Sequence, residues 1–185
     1  MAFFTLGDVN KLIHLYKSEH TFRKSLYSTR NVKPFINRPF PPDVSENLVR
    51  CFVEQVERRQ CIWTVDANHD LFLPTTKRKL EVKAFTNEAE QVSFTCTQDF
   101  DVLYVLDCRK FTMDVYVVHI FEFSSEEMKA MEVGMDCVAT RFLKEEKRTV
   151  RVTLKKLKNF AKVNGFYHEV HSFKLNEQIQ IVSEH

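Results

Sequence analysis

Apolar residues recur at helical spacing near the N-terminus and at strand spacing through the middle of the chain. In residues 8–27, Val9, Leu12, Ile13 and Tyr16 follow the 3.6-residue period, and Asp8 stands where a cap belongs. Pro34, Pro39, Pro41 and Pro42 then interrupt the pattern, because proline fixes its own φ and disfavours helix at the residue before it. A second helix is expected from Asp43, which with Glu46 three residues later has capping-box spacing. Val44, Leu48, Val49, Phe52, Val53 and Val56 form its apolar stripe. Residues 61–65 read as a short strand, and Asp66-Ala67-Asn68 as the turn after it.

The pattern is sharpest over residues 69–85. Leu71-Phe72-Leu73 makes one strand, Leu80, Val82, Ala84 and Phe85 mark another, and Pro74-Thr75-Thr76 supplies the turn between them. Side chains alternate across a strand, so Glu81 and Lys83 project on one face while Leu80, Val82 and Ala84 pack on the other. Asp70 at the start of the first strand falls within reach of both. Residues 86–101 are polar and lack helical period, whereas Val102 to Leu106 is a fully apolar strand and 114–123 is another. Ser124 to Glu127 opens a short helix that Gly134 closes. Thr153 caps a basic helix with Leu154, Leu157, Phe160 and Ala161 inward and Gly165 just past its end. Helices, three antiparallel strands, a crossover and further strands and helices describe a mixed α/β layer architecture.

Composition narrows the function. The length of 185 residues suits one domain. No apolar run is long enough to span a bilayer and no basic-then-apolar leader is present, so a cytoplasmic protein is expected. Cys51, Cys61, Cys96, Cys108 and Cys137 include no C-x-x-C pair, which favours reduced thiols and no structural zinc. His168 and His171 form H-x-x-H without nearby Cys and read as surface residues, and His119 as a core histidine. Three glycines, Gly7, Gly134 and Gly165, cannot build a phosphate-cradling loop. Net charge is only +2, yet it is segregated: residues 17–38, ending at Arg38, hold six basic residues and one acid, and residues 141–162 hold nine and two. Such runs fit a phosphate-tracking surface, and they also fit ordinary solvated helices.

Two carboxylates and an amine on an otherwise apolar sheet are costly to bury unless something binds them, and a hard divalent cation suits carboxylate oxygens. The plainer reading is an ion pair on an exposed strand face, as at Glu127-Met128-Lys129 and Glu145-Glu146-Lys147. Asn87, Gln91, Ser93, Thr95, Thr97 and Gln98 directly follow the Glu81 strand and carry the uncharged donors and acceptors that read base edges. Lys155, Lys156, Lys158 and Lys162 are the corresponding candidates for phosphate contacts. Trp63 and Phe94 are candidates to stack on bases or to fill the core.

Asp70, followed by Glu81-Val82-Lys83 in the next strand, resembles the PD-(D/E)xK nucleases. With the stretches at residues 38–48, Ser93-Phe94 and residues 101–107, the chain looks like a small type II restriction endonuclease of the kind that cuts GCNGC-type sites. It departs from that pattern at His69 and at Thr95-Cys96. The likeness covers roughly residues 38–123 and leaves 124–185 as a basic helical part of the same domain. It implies a restriction-endonuclease-like fold, with a central mixed sheet of about five strands flanked by helices. Asp70, Glu81 and the Val82 carbonyl would hold Mg²⁺, for which Mn²⁺ can substitute and which Ca²⁺ replaces with binding but no cleavage. Lys83 would position the attacking water, and Glu46 would bind a metal-linked water. A homodimer would cut double-stranded DNA at a short symmetric site, leaving 5′-phosphates. Two other readings stay open: a structure- or damage-directed nuclease of repair or recombination, and a DNA-binding module without activity.

Overall fold

The computed structural model describes residues 5–30, 40–64, 68–86, 91–144, 149–176 and 178–182. Helix α1 (Leu6–Arg30) starts earlier than its apolar period indicates. Its cap is Thr5, not Asp8: the Thr5 hydroxyl accepts from the Asp8 N–H at 3.2 Å, and Asp8 Oδ2 accepts from the Thr5 N–H at 2.9 Å. Asp8 is therefore the returning arm of a capping box. Helix α2 (Pro42–Gln55) also departs from expectation. Pro41 occupies the cap position with no side-chain bond, and Pro42 holds the first helical position, where a missing N–H costs nothing. Asp43 lies in the first turn, where its charge favours the helix dipole, and Glu46 is free to reach elsewhere.

Seven strands form the central sheet: β1 (Ile62–Trp63), β2 (Leu71–Leu73), β3 (Arg78–Phe85), β5 (Val102–Asp107), β6 (Val115–Glu122), β10 (Tyr167–Leu175) and β11 (Ile179–Ile181), in that spatial order. Only β3 and β5 run parallel; every other neighbouring pair is antiparallel. The segment between β3 and β5 makes the crossover and contains β4 (Gln91–Phe94), which pairs with β9 (Val150–Thr153) as a separate ribbon. A third small ladder joins β7 (Glu132–Val133) to β8 (Asp136–Cys137). The sheet has two strands more than expected, because residues after 165 are not only helical: β10 and β11 extend it beyond β6.

Strand alternation divides the interior into two cores. Leu80, Val82, Val102, Tyr104, Leu106, Tyr116, Val118 and Ile120 face α1 and α2, packing on Val9, Ile13, Val44, Leu48, Val49, Phe52 and Val53. The opposite face turns Phe85, Leu103, Val105 and Phe121 toward the β4–β9 ribbon and toward α5 (Leu154–Asn164), which contributes Leu157, Phe160 and Ala161. Each such side chain removed from water stabilises the fold by about 1.5–3 kcal/mol. All six residues of β5 are buried, as a strand covered on both faces requires. Thr153 caps α5 and Gly165 ends it in left-handed conformation at φ 70°, both as the sequence indicates. Between them, α3 (Ser125–Met128) carries a complete Ser124/Glu127 capping box, α4 spans Val138–Lys144, and Gly134 sits in the β7–β8 turn rather than closing a helix. The five cysteines are free, and among the described residues no helix is long and apolar enough to cross a membrane.

Candidate active site

The register of β2 on β3 creates the site. Leu71 pairs with Leu80, and the Asp70 N–H also bonds the Leu80 carbonyl, at 3.1 Å. Asp70 is thereby held beside the Leu80–Val82 stretch of β3, where its charge acts on Glu81. The Val82 N–H fixes Asp70 by donating to Oδ2 at 2.7 Å. Glu81 is fixed by two donors on one oxygen, since Lys83 Nζ and Gln98 Nε2 both bond Oε1. Among the described residues nothing bonds Asp70 Oδ1 or Glu81 Oε2, so each carboxylate keeps one oxygen free. Glu46 approaches from α2 and accepts from Trp63 Nε1 at 2.8 Å. Lys83 lies 5.7 Å from the centre of the Phe94 ring, a favourable place for a cation.

These charges oppose one another. Burial pushes the Glu81 carboxyl up to about 7, Lys83 opposes the rise, and Asp70 and Glu46 add to it. Burial also raises Asp70, against the Val82 N–H and Lys83. Glu46 is raised by burial and by Asp70, while the Trp63 hydrogen bond opposes. Lys83 is thus the cation common to three carboxylates, and one positive charge does not neutralise them. Among the described residues no group of three or more His, Cys, Asp or Glu side chains is arranged to enclose a metal ion. Two carboxylates with one free oxygen each are nonetheless the donor set that magnesium uses when water and substrate phosphate complete its shell. The residues fit that cation.

A family model, the Bsp6I restriction endonuclease, matches residues 4–179. The chain belongs to the Bsp6I restriction endonuclease family. The protein is therefore a nuclease whose substrate is DNA, and the match extends well past residues 38–123 to take in both terminal parts. No curated protein and no solved structure matches the chain.

Seen as a surface of a DNA-cutting enzyme, the ribbon beside the site divides in two. Gln91 and Ser93 point outward from β4, whereas Val92 and Phe94 point inward. Phe94 is fully buried and stacks on no base; Trp63, at 37 % exposure, is not core. Thr95 and Thr97 are exposed, with hydroxyls 3.1 Å apart. Gln98 instead turns inward to Glu81, a contact that the sequence pattern does not disclose. Asn87 and Arg38 lie outside the described residues. Arg151 pairs with Ser93 across the ribbon, and Arg151, Lys155, Lys156, Lys158 and Lys162 are all exposed. None of these five makes an ion pair with a described residue; Arg151 lies beside β4, and the charge of Lys158 reaches His119 and His168. His119 is buried at 3 % exposure and its ring lies 5.5 Å from that of His168. His171, only part-exposed, bonds Glu169 at 2.9 Å.

Proposed function

We propose that this protein is a Mg²⁺-dependent type II restriction endonuclease that hydrolyses duplex DNA at a short symmetric site, as a homodimer, leaving 5′-phosphates. The observation that carries the reading is the neighbouring carboxylates of Asp70 and Glu81, each with one oxygen tied and one free, backed by Lys83. Asp70 and Glu81, with the Val82 carbonyl, would hold Mg²⁺ or Mn²⁺; when bound, the ion supplies a Lewis acid and makes coordinated water more acidic. Ca²⁺ takes a looser and more variable shell and supports binding without cutting.

The remaining work belongs to side chains. Lys83, oriented by Glu81 and the Phe94 ring, directs its ammonium toward the attacking water and offsets the negative charge that grows on the phosphate. Glu46, steadied by Trp63, accepts a hydrogen bond from a water of the site. Gln91, Ser93, Thr95 and Thr97 offer uncharged groups to base edges, and Lys155, Lys156, Lys158 and Arg151 meet phosphates, which fix register without reading sequence. A symmetric target is matched by two-fold symmetry of the protein.

The test is digestion of a plasmid of known sequence with Mg²⁺, followed by sequencing of the ends. Ends at one short motif are expected, and EDTA should stop cutting. Asp70→Ala and Glu81→Ala should each lower the rate by at least about a hundredfold with unchanged circular dichroism. Ends without a common motif, or a preference for branched or damaged DNA, would move the protein to the repair class.

A further inference from the structure

Gln98 stands between the outward-facing part of the crossover and the innermost carboxylate. Its Oε1 accepts from the Thr95 N–H at 2.9 Å, and its Nε2 donates to Glu81 Oε1. The Thr95 N–H sets the orientation of the amide, because a backbone N–H only donates: Oε1 must face it, which leaves Nε2 to donate to Glu81. The Gln98 N–H returns to the Thr95 carbonyl at 3.3 Å, closing a turn whose side chain and backbone move together. That turn carries the exposed, paired hydroxyls of Thr95 and Thr97. Three further bonds stitch the following residues to the catalytic hairpin. The Asp99 N–H donates to the Asn68 carbonyl at 2.8 Å, the Asp101 N–H to the Lys79 carbonyl at 2.9 Å, and the Lys79 N–H to Asp101 Oδ2 at 2.8 Å.

We infer that Gln98 is a positioning residue that couples the Thr95–Gln98 turn to Glu81. Contact of the turn with DNA is transmitted through one amide to the carboxylate that also orients Lys83. The inference rests on the nuclease reading above. Gln98 holds Oε1, and in doing so restricts rotation of the carboxylate whose Oε2 is free. Without that donor, Glu81 keeps only Lys83 on Oε1, and both the carboxylate and the ammonium lose their fixed direction. Gln98 thereby links recognition to the rate of cutting while adding little to the hold on DNA.

The test uses the full chain and two variants, Gln98→Met, which keeps length without hydrogen bonds, and Glu81→Ala. Three quantities are measured: Mn²⁺ affinity without DNA by electron paramagnetic resonance, the single-turnover cutting rate on plasmid DNA with Mg²⁺, and the affinity for a fragment bearing a mapped cut site in Ca²⁺. For Gln98→Met, Mn²⁺ affinity should fall by about threefold or more and the rate by about tenfold or more, with DNA affinity within about twofold of native. Native Mn²⁺ affinity and rate in Gln98→Met would overturn the inference. A drop in DNA affinity as large as the drop in rate would also overturn it, and make Gln98 a DNA-binding group. If instead Glu81→Ala bound Mn²⁺ like the native protein, the failure would lie in the cation reading itself.

Discussion

Glu81 is 1 % exposed and faces two other carboxylates, so its electrostatics dominate the site. Its acid form is favoured in the fold, since burial raises the carboxyl from 4.5 to about 7. The folded state therefore retains a proton that the unfolded chain has already released, and stability falls as pH rises from about 4.5 to about 7. Glu81→Gln lacks this dependence. In EDTA, the stability of Glu81→Gln minus that of the native protein should increase across that interval and stay level above it, as read by urea unfolding at several pH values. A difference independent of pH would show that Glu81 is ionised in the fold at little cost. The residues of this site are unequally legible in the sequence. Asp70, Glu81 and Lys83 can be read there because alternation along a strand fixes which side chains share a face. The role of Gln98 cannot, because its bond to Glu81 spans a crossover that leaves no period in the sequence. Size alone points Trp63 to the core, yet its indole N–H finds a partner only at the surface, on Glu46.

At the scale of elements, sequence spacing places the helix caps about one turn or a few residues from where they stand. Asp8 and Asp43 both suit a first turn, so an acid there marks the helix start without identifying the cap; Thr5 and Pro41 hold those positions. Thr153 is unambiguous, since no competing cap precedes Leu154, and its hydroxyl accepts from the Lys156 N–H at 3.3 Å. Thr153→Ala should cost about 1 kcal/mol, measured by thermal unfolding; a change near zero would mean that the α5 terminus is held by packing alone. Strands β4, β10 and β11 escape the sequence pattern for one reason. Each keeps a polar or exposed face and is short or irregular in pattern, so pairing partners distant in sequence, not local preference, define it. The helix beside them makes its own prediction. Lys155→Gln together with Lys158→Gln should weaken binding to target and scrambled duplexes alike in Ca²⁺. The slope of log affinity against log salt should flatten by about 0.9 for each phosphate that these side chains no longer neutralise. Weakening confined to the target duplex would assign these lysines to base reading.

For the whole molecule, the sheet serves as a wall between two cores, with α1 and α2 behind it and the β4–β9 ribbon and α5 in front. The β2–β3 hairpin with the proposed site lies at one side of that wall, and the crossover between β3 and β5 brings the ribbon around to it. This explains why the mixed α/β class and the hairpin are evident from sequence while the ribbon is not: the first follows from alternation within strands, the second from closure between segments about sixty residues apart. The proposed homodimer belongs to this scale, and sedimentation of the native protein should give twice the monomer mass; a monomer that still cuts both strands at one motif would remove the symmetry argument. The central claim is that Asp70, Glu81 and Lys83 act together on a phosphodiester. Its most direct test is Lys83→Met, assayed for single-turnover cutting with Mg²⁺ and for DNA affinity with Ca²⁺. The rate should fall by about a hundredfold or more, with affinity within about twofold of native. Retained cutting, or an equal fall in rate and affinity, would contradict that claim and leave Lys83 as a phosphate anchor outside the chemistry.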